Sequence, residues 1–176
     1  MSVDDLIKKA NEYYTVALKL LDSRDIYDAA EKAWCCVETL RKALLVALGV
    51  PYDKAKSVSY GVPLFNKIMK ALGLKELLKD YEWFHYKLHA MGFYENITPL
   101  EDIVEIVRNN VPQWMNEILK IIDKVKGLDF SSVLHEYEKM HKLKREILMK
   151  NIELVRISEK VSAMLDKLLA PVRTKL

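Results

Sequence analysis

Apolar residues return at three- and four-residue steps along nearly all of the 176-residue chain. No stretch shows the sustained apolar/polar alternation, bounded by turn residues, that a strand needs. A chain patterned this way is confined to helices. The expected fold is all-α, an up-and-down antiparallel helical bundle with a long C-terminal helix. With 51% apolar and 30% charged residues and only 5 Gly and 5 Pro, disorder, collagen-like and low-complexity classes are excluded.

The punctuation places the helices. Ser2, with Asp5 three residues on, is a capping box for a first helix that buries Leu6, Ala10, Tyr13, Ala17 and Leu20/Leu21 and stops near Ser23. Asp25 or a neighbour caps a second helix, with Ala29/Ala30, Ala33, Val37, Leu40, Leu44 and Leu48 inward, and Gly49 followed by Pro51 ends it. Residues 50–61 read as a surface connection. A short helix then runs from Pro63 to about Leu72, and another from Lys75 carries Leu78, Tyr81, Phe84 and Leu88 inward until Gly92 and Asn96. Thr98-Pro99-Leu100-Glu101 reads as a Thr cap, a proline at the first helical position and a capping-box Glu. That helix should reach Lys126 with a kink at Pro112.

From Ser131 to Ala170 there is neither Gly nor Pro, and Met140, Leu143, Ile147, Leu154, Ile157, Val161, Met164 and Leu168 form an apolar stripe interrupted by Asn151. Some 40 helical residues would span about 60 Å. The segment must therefore bend back or overhang and meet a partner, a second copy of the chain or another protein. Two domains are expected: a bundle over 1–127 and a basic C-terminal helix over 128–176. Residues 129–176 hold ten Lys and Arg against seven Asp and Glu, which is the whole +3 of the chain.

Two adjacent cysteines, Cys35 and Cys36, are unsuited to an ordinary disulfide with each other and too few for a secreted scaffold, so an intracellular, cytoplasmic protein is expected. No apolar run approaches a membrane span, and no membrane association is expected. A single glutamine, Gln113, beside many Lys and Glu is a bias met in proteins from hot environments.

Four constellations bear on chemistry. Glu82-x-x-His85-x-x-x-His89 falls on one face of an α-helix, and a second Glu-x-x-His is Glu138-Lys139-Met140-His141. Two such motifs, with Glu12, Glu38, Glu105 or Glu117 from other helices, are the ingredients of a carboxylate-bridged di-metal bundle enzyme; helix-surface ion pairs are the plainer reading, and no cofactor is expected. Next is Leu88-His89-Ala90-Met91-Gly92-Phe93-Tyr94-Glu95. There His85 and His89 are candidate ligand-binding groups, with His89 a candidate general base, Tyr94 a hydrogen-bonding or base-stacking group and Glu95 its acidic partner. A buried helix end is the alternative. Third, the basic run Lys139 to Arg145 either touches phosphates or is a solvated face. Last, Trp34 with Cys35 and Cys36 follows small residues that permit close helix approach, and nothing nearby marks either thiol as a nucleophile.

Two of these segments together carry a resemblance. Ser23-Arg-Asp-Ile-Tyr-Asp-Ala-Ala-Glu-Lys-Ala-Trp34, with Leu88-His-Ala-Met-Gly-Phe-Tyr-Glu95 and Thr98-Pro-Leu-Glu-Asp-Ile-Val104, resembles the HEPN superfamily, and more narrowly its archaeal PaREP-like branch, over roughly residues 3–126. The resemblance implies a four- to five-helix bundle that forms a homodimer. It also implies a toxin–antitoxin or defence setting, with a nucleotidyltransferase or antitoxin as partner protein and RNA or nucleotide as ligand. The superfamily's ribonucleases carry an Arg four to six residues ahead of a His, and no Arg stands there before any of the four His of this chain. The resemblance therefore implies a noncatalytic binding module at His89, Phe93, Tyr94 and Glu95, with Trp34 packing. The alternative is a metal-independent ribonuclease in which Lys87 or His85 replaces the Arg. No catalytic residue is assigned beyond the candidate His89.

Overall fold

The computed structural model describes residues 1–146 and 151–173, and among them there is no strand. The fold is an all-α helical bundle. The chain divides into two compact units. Unit 1 is Met1–Leu44 with Lys75–Asp123, and unit 2 is Leu45–Leu74 with Lys124–Leu176.

Unit 1 opens with α1 (Val3–Asp22), started by the expected capping box: the Ser2 hydroxyl accepts from Asp5 N at 3.1 Å, and Ser2 N donates to the Asp5 carboxylate at 2.9 Å. Leu6, Ala10, Ala17 and Leu21 are buried as read, while Tyr13 is only half-buried. The first nineteen residues of α2 (Ile26–Ala47) follow, with Ala29, Ala30, Ala33, Val37, Leu40 and Leu44 all fully buried. Unit 1 resumes with α5 (Lys75–Phe84), which passes directly into a π-wound segment, His85–Tyr94, bonded i→i+5. Then come α6 (Leu100–Glu105), a second π-wound stretch (Ile106–Asn110) and α7 (Val111–Val125).

The irregularity expected at Pro112 takes this π form. Val111 N is spent on the Ile106 carbonyl, five residues back, and Pro112 has no N–H to give. The carbonyl of Val107 instead accepts the Tyr14 hydroxyl at 3.1 Å. The start of α6 differs from the sequence expectation. Pro99 is its N-cap and no side chain caps it, because Thr98 is buried and donates its hydroxyl at 2.9 Å to the Lys87 carbonyl of the π-wound segment.

Unit 2 holds the end of α2, then α3 (Tyr52–Ala55) and α4 (Val58–Ala71) where residues 50–61 read as an irregular connection. Gly49, at φ +85°, ends α2 in the left-handed conformation that favours glycine. The α4 helix begins five residues ahead of Pro63. Proline lacks the N–H that would bond the Ser59 carbonyl, and His141 Nε2 supplies a donor there at 3.1 Å. That substitution is why periodicity broken by Gly61 and Pro63 still makes helix.

The long C-terminal stretch forms α8 (Ser131–Glu146) and α9 (Asn151–Arg173), packed on each other and, for α9, on α4. Of the two outcomes its length poses, the segment bends back. Glu136 of α8 meets Lys160 of α9 at 3.0 Å, and Val161, Leu165, Leu169 and Val172 are buried. Ile157, Met164 and Leu168 of the expected stripe are half-buried. Ile147 and the side chains of Asn151 and Leu154 lie outside the described residues.

Candidate functional site

The site in unit 1 is assembled from α2 and the π-wound segment. Glu31, Trp34, Cys35 and Glu38 stand at three- and four-residue steps on one row of α2. The π-wound segment approaches this helix closely at Gly92. A Cβ added to Gly92 would sit 2.7 Å from the Lys87 carbonyl oxygen and 3.4 Å from the Ala30 Cβ, so glycine and a small-residue α2 face are both needed. Asn96, at φ +53°, closes the segment in a conformation asparagine tolerates, and its carbonyl accepts the Tyr27 hydroxyl at 3.1 Å.

This approach brings His89 onto Glu31, Nδ1 to Oε2 at 2.7 Å, with both side chains about a fifth to a quarter exposed (24% and 20%). Trp34, itself buried, lies under His89 as a stacked ring (5.6 Å between centroids, 30°) and meets His85 edge-on at 5.0 Å. The two imidazoles are 5.5 Å apart. Tyr94 places its ring edge-to-face with His89 at 4.8 Å yet stays 68% exposed. The site is thus a carboxylate–imidazole pair on an aromatic floor with an exposed phenol ring beside it.

The other oxygen of Glu31 takes the Cys35 thiol at 3.7 Å. Burial, and then the Glu31 charge, push the Cys35 thiol up from its ordinary pKa, which keeps it protonated and non-nucleophilic. Burial also pushes Cys36 up to about 12, where it contacts the Met115 sulfur at 3.4 Å as a core residue. Both cysteines are free.

Below the aromatic floor sits an ion pair whose guanidinium is buried and whose carboxylate is half-buried. Arg41, fully buried, grips Glu38 with two bonds, 2.8 Å from Nε and 2.6 Å from Nη2, and the Tyr81 hydroxyl donates to the same carboxylate at 3.0 Å. Burial pushes the Glu38 carboxyl up, but the Arg41 guanidinium, with help from Lys42 and Tyr81, outweighs it and holds the pKa below the usual carboxylate value. Tyr81 then packs against Trp34 with its ring tilted by 44° at 5.4 Å, linking this pair to the site. His85 is lowered by burial and then by the neighbouring His89, with Glu38 pulling the other way, so it is neutral at pH 7.

Of the residues singled out in the sequence, His85, His89 and Tyr94 come together. Glu95 is exposed and has no bond to His89; its backbone N–H ends the π-wound segment on the Ala90 carbonyl. Phe93 packs against Tyr94 at 5.2 Å. Lys87 points to Asp102, 3.8 Å away. Glu82 is exposed and makes no hydrogen bond or ion pair with the described residues, so the expected row delivers His85 and His89 to the site without it. Glu82 and His85 belong to unit 1 and Glu138 and His141 to unit 2, and among the described residues no group of three or more His, Cys, Asp and Glu is placed to hold a metal ion. Glu31 is the residue of this candidate site that the sequence reading does not single out. Its signal was there: it lies in the quoted Ala-Ala-Glu-Lys-Ala-Trp34 segment, three residues before Trp34 on the same row.

No helix among the described residues is long and apolar enough to cross a membrane. No curated protein and no solved structure matches the chain. The profile of the Archaeal PaREP1/PaREP8 family matches residues 5–111, which contain both α2 and the whole π-wound segment, and the chain belongs to that family.

Proposed function

We propose that the chain is a HEPN-like binding module, a homodimer in a toxin–antitoxin or defence setting, whose unit 1 site takes the base of a nucleotide or of single-stranded RNA. The observation that carries this reading is the Glu31–His89 pair at 2.7 Å with Trp34 beneath it and the exposed Tyr94 ring at its edge. Glu31 fixes the imidazole with Nδ1 as donor, which leaves Nε2 as an acceptor for a base-edge N–H, while the Tyr94 ring offers a stacking surface. The edges that meet base and carboxylate are supplied by residues held on helices, as a binding site needs.

A second reading has one observation in its favour. A carboxylate on Nδ1 is also what makes a histidine Nε2 a general base, so the same dyad suits an altered-motif ribonuclease. Such chemistry needs a cation on the scissile phosphate. The two substitutes for the missing Arg are poorly disposed: His85 is neutral at pH 7 and Lys87 is turned to Asp102. Binding is therefore preferred over cleavage.

The test is titration of the purified protein with AMP and with a short unstructured RNA, following quenching of tryptophan fluorescence, beside Glu31→Gln, His89→Ala and Tyr94→Ala. Each variant is expected to weaken binding about tenfold, a loss of about 1.4 kcal/mol. Equal affinity in the wild type and all three variants would remove the site. Parallel incubation with a mixed RNA pool, with and without a chelator, separates the readings. Chelator-resistant cleavage abolished by His89→Ala would make the protein a ribonuclease, and cleavage abolished by the chelator would point to a metal-dependent enzyme.

A further inference from the structure

Unit 2 carries a second cleft that the unit 1 site does not use. It has a volume of about 570 Å³, within the range of small-molecule sites, and lies among α3, the start of α4 and α8. Its basic groups come from separate elements: Lys54 from α3, and Lys139 and Lys142 from one face of α8. The nearby acids are shared between the cleft and its surroundings. Asp53 is held from outside by Lys56 at 2.7 Å, and Glu136 is shared by Lys160 at 3.0 Å and the cleft's own Lys139 at 3.4 Å. Glu138 turns its carboxylate to Lys54.

The floor is rigid. The buried Tyr60 ring has Lys54 Nζ over its face at 5.8 Å, Tyr137 edge-on at 5.0 Å and His141 edge-on at 5.1 Å. His141 is locked in turn by donating Nε2–H to the Ser59 carbonyl that Pro63 leaves without a helical donor, so its orientation is set by the backbone of α4.

We propose that this cleft is an anion site for the terminal phosphate of a small phosphorylated ligand, with the ammonium groups of Lys54, Lys139 and Lys142 as its counter-charges and Tyr60 as its floor. Three lysines gathered around one concavity, rather than strung along a groove, match a multiply charged terminal phosphate better than the single charges of a diester backbone. The Lys54–Glu138 pair is nearly half exposed on both sides, so a phosphate displaces Glu138 at small cost. The inference is independent of the unit 1 reading.

The chain's own histidines supply the test. His135 and His141 line the cleft, and the other two, His85 and His89, are in unit 1. Their four C2–H proton resonances are followed while the full chain is titrated with inorganic pyrophosphate, and then with a short RNA bearing a 5′-hydroxyl, which offers diesters only. Pyrophosphate is expected to move the His135 and His141 signals at about 1 mM or below. The charge-reversing pair Lys139→Glu/Lys142→Glu is expected to lose about tenfold or more in affinity and Glu138→Gln to gain severalfold, each with His85 and His89 unmoved as a check on folding. Three outcomes overturn the proposal: no shift with pyrophosphate, equal shifts at all four histidines, or displacement of pyrophosphate by the 5′-hydroxyl RNA at equal phosphate concentration.

Discussion

The two Glu-x-x-His motifs have identical spacing and opposite fates. In unit 2, Glu138 and His141 sit on regular α-helix and face the same cleft, with Lys54 on the one and the Ser59 carbonyl on the other. In unit 1, Glu82 is exposed and has no hydrogen bond or ion pair among the described residues, while His85 is gathered with His89 over Trp34. The two motifs differ in what packs beside them. His85 stands where α winding passes into i→i+5 winding, and its ring neighbours are Trp34 and His89. The units also differ in where they put charge. The unit 1 site rests on a carboxylate held by a fully buried guanidinium, and the unit 2 cleft on exposed ammonium–carboxylate pairs.

That second contrast gives the largest expected effect. Glu38→Gln removes the carboxylate that the fully buried Arg41 grips with two bonds, and is expected to cost about 3 kcal/mol, or about 10 °C in melting temperature for a chain of this size. The pH dependence follows from the same pair. The folded pKa of Glu38 lies below its unfolded value, so its stabilisation is present above the unfolded carboxylate pKa and is lost as pH falls through the folded one. Thermal unfolding from pH 6 down to pH 3 should show a steeper loss of stability in the wild type than in Glu38→Gln. Parallel curves would mean that the pair carries no net linkage and that the contrast in burial has no energetic consequence.

The contrast in winding is broken by Gly92→Ala. The added methyl meets a backbone oxygen, which cannot swing away as a side chain can, and a cost of about 2 kcal/mol is expected. The His85 and His89 resonances should move and those of His135 and His141 should not. A variant of unchanged stability with all four signals in place would show that the close approach at Ala30 does not hold the π-wound segment.

How much of this was readable in the residues depends on which rule each residue obeys. Ser2, Gly49 and the alanine face of α2 follow local rules, and each acts where it was expected. Thr98 and Pro63 follow local rules too but were answered by distant groups. The Lys87 carbonyl captured the Thr98 hydroxyl, and His141 repaired the break that Pro63 makes in α4. His89 and Tyr94 were found from composition and neighbourhood. Their partner Glu31 was not, because it lies 58 residues away and only the packing of Gly92 on Ala30 brings it near. The π winding has no residue signature that helical periodicity registers, yet Leu88, read as inward, is fully buried, and His89 stands beside His85 as read.

The smallest expected effect is the sharpest on the spacing question. Neither Glu82→Gln nor Glu138→Gln should change stability by more than about 0.5 kcal/mol, since one carboxylate is alone in solvent and the other belongs to an exposed pair. Their spectra should nevertheless differ. Removing the Glu138 charge alters the field in the cleft that His141 and Tyr60 share, and that charge already raises the Tyr60 hydroxyl after burial does. The His141 resonance should move in Glu138→Gln while His85 holds its position in Glu82→Gln. A His85 shift in Glu82→Gln as large as the His141 shift in Glu138→Gln would mean that Glu82 and His85 are coupled after all, and the two motifs would then share one fate.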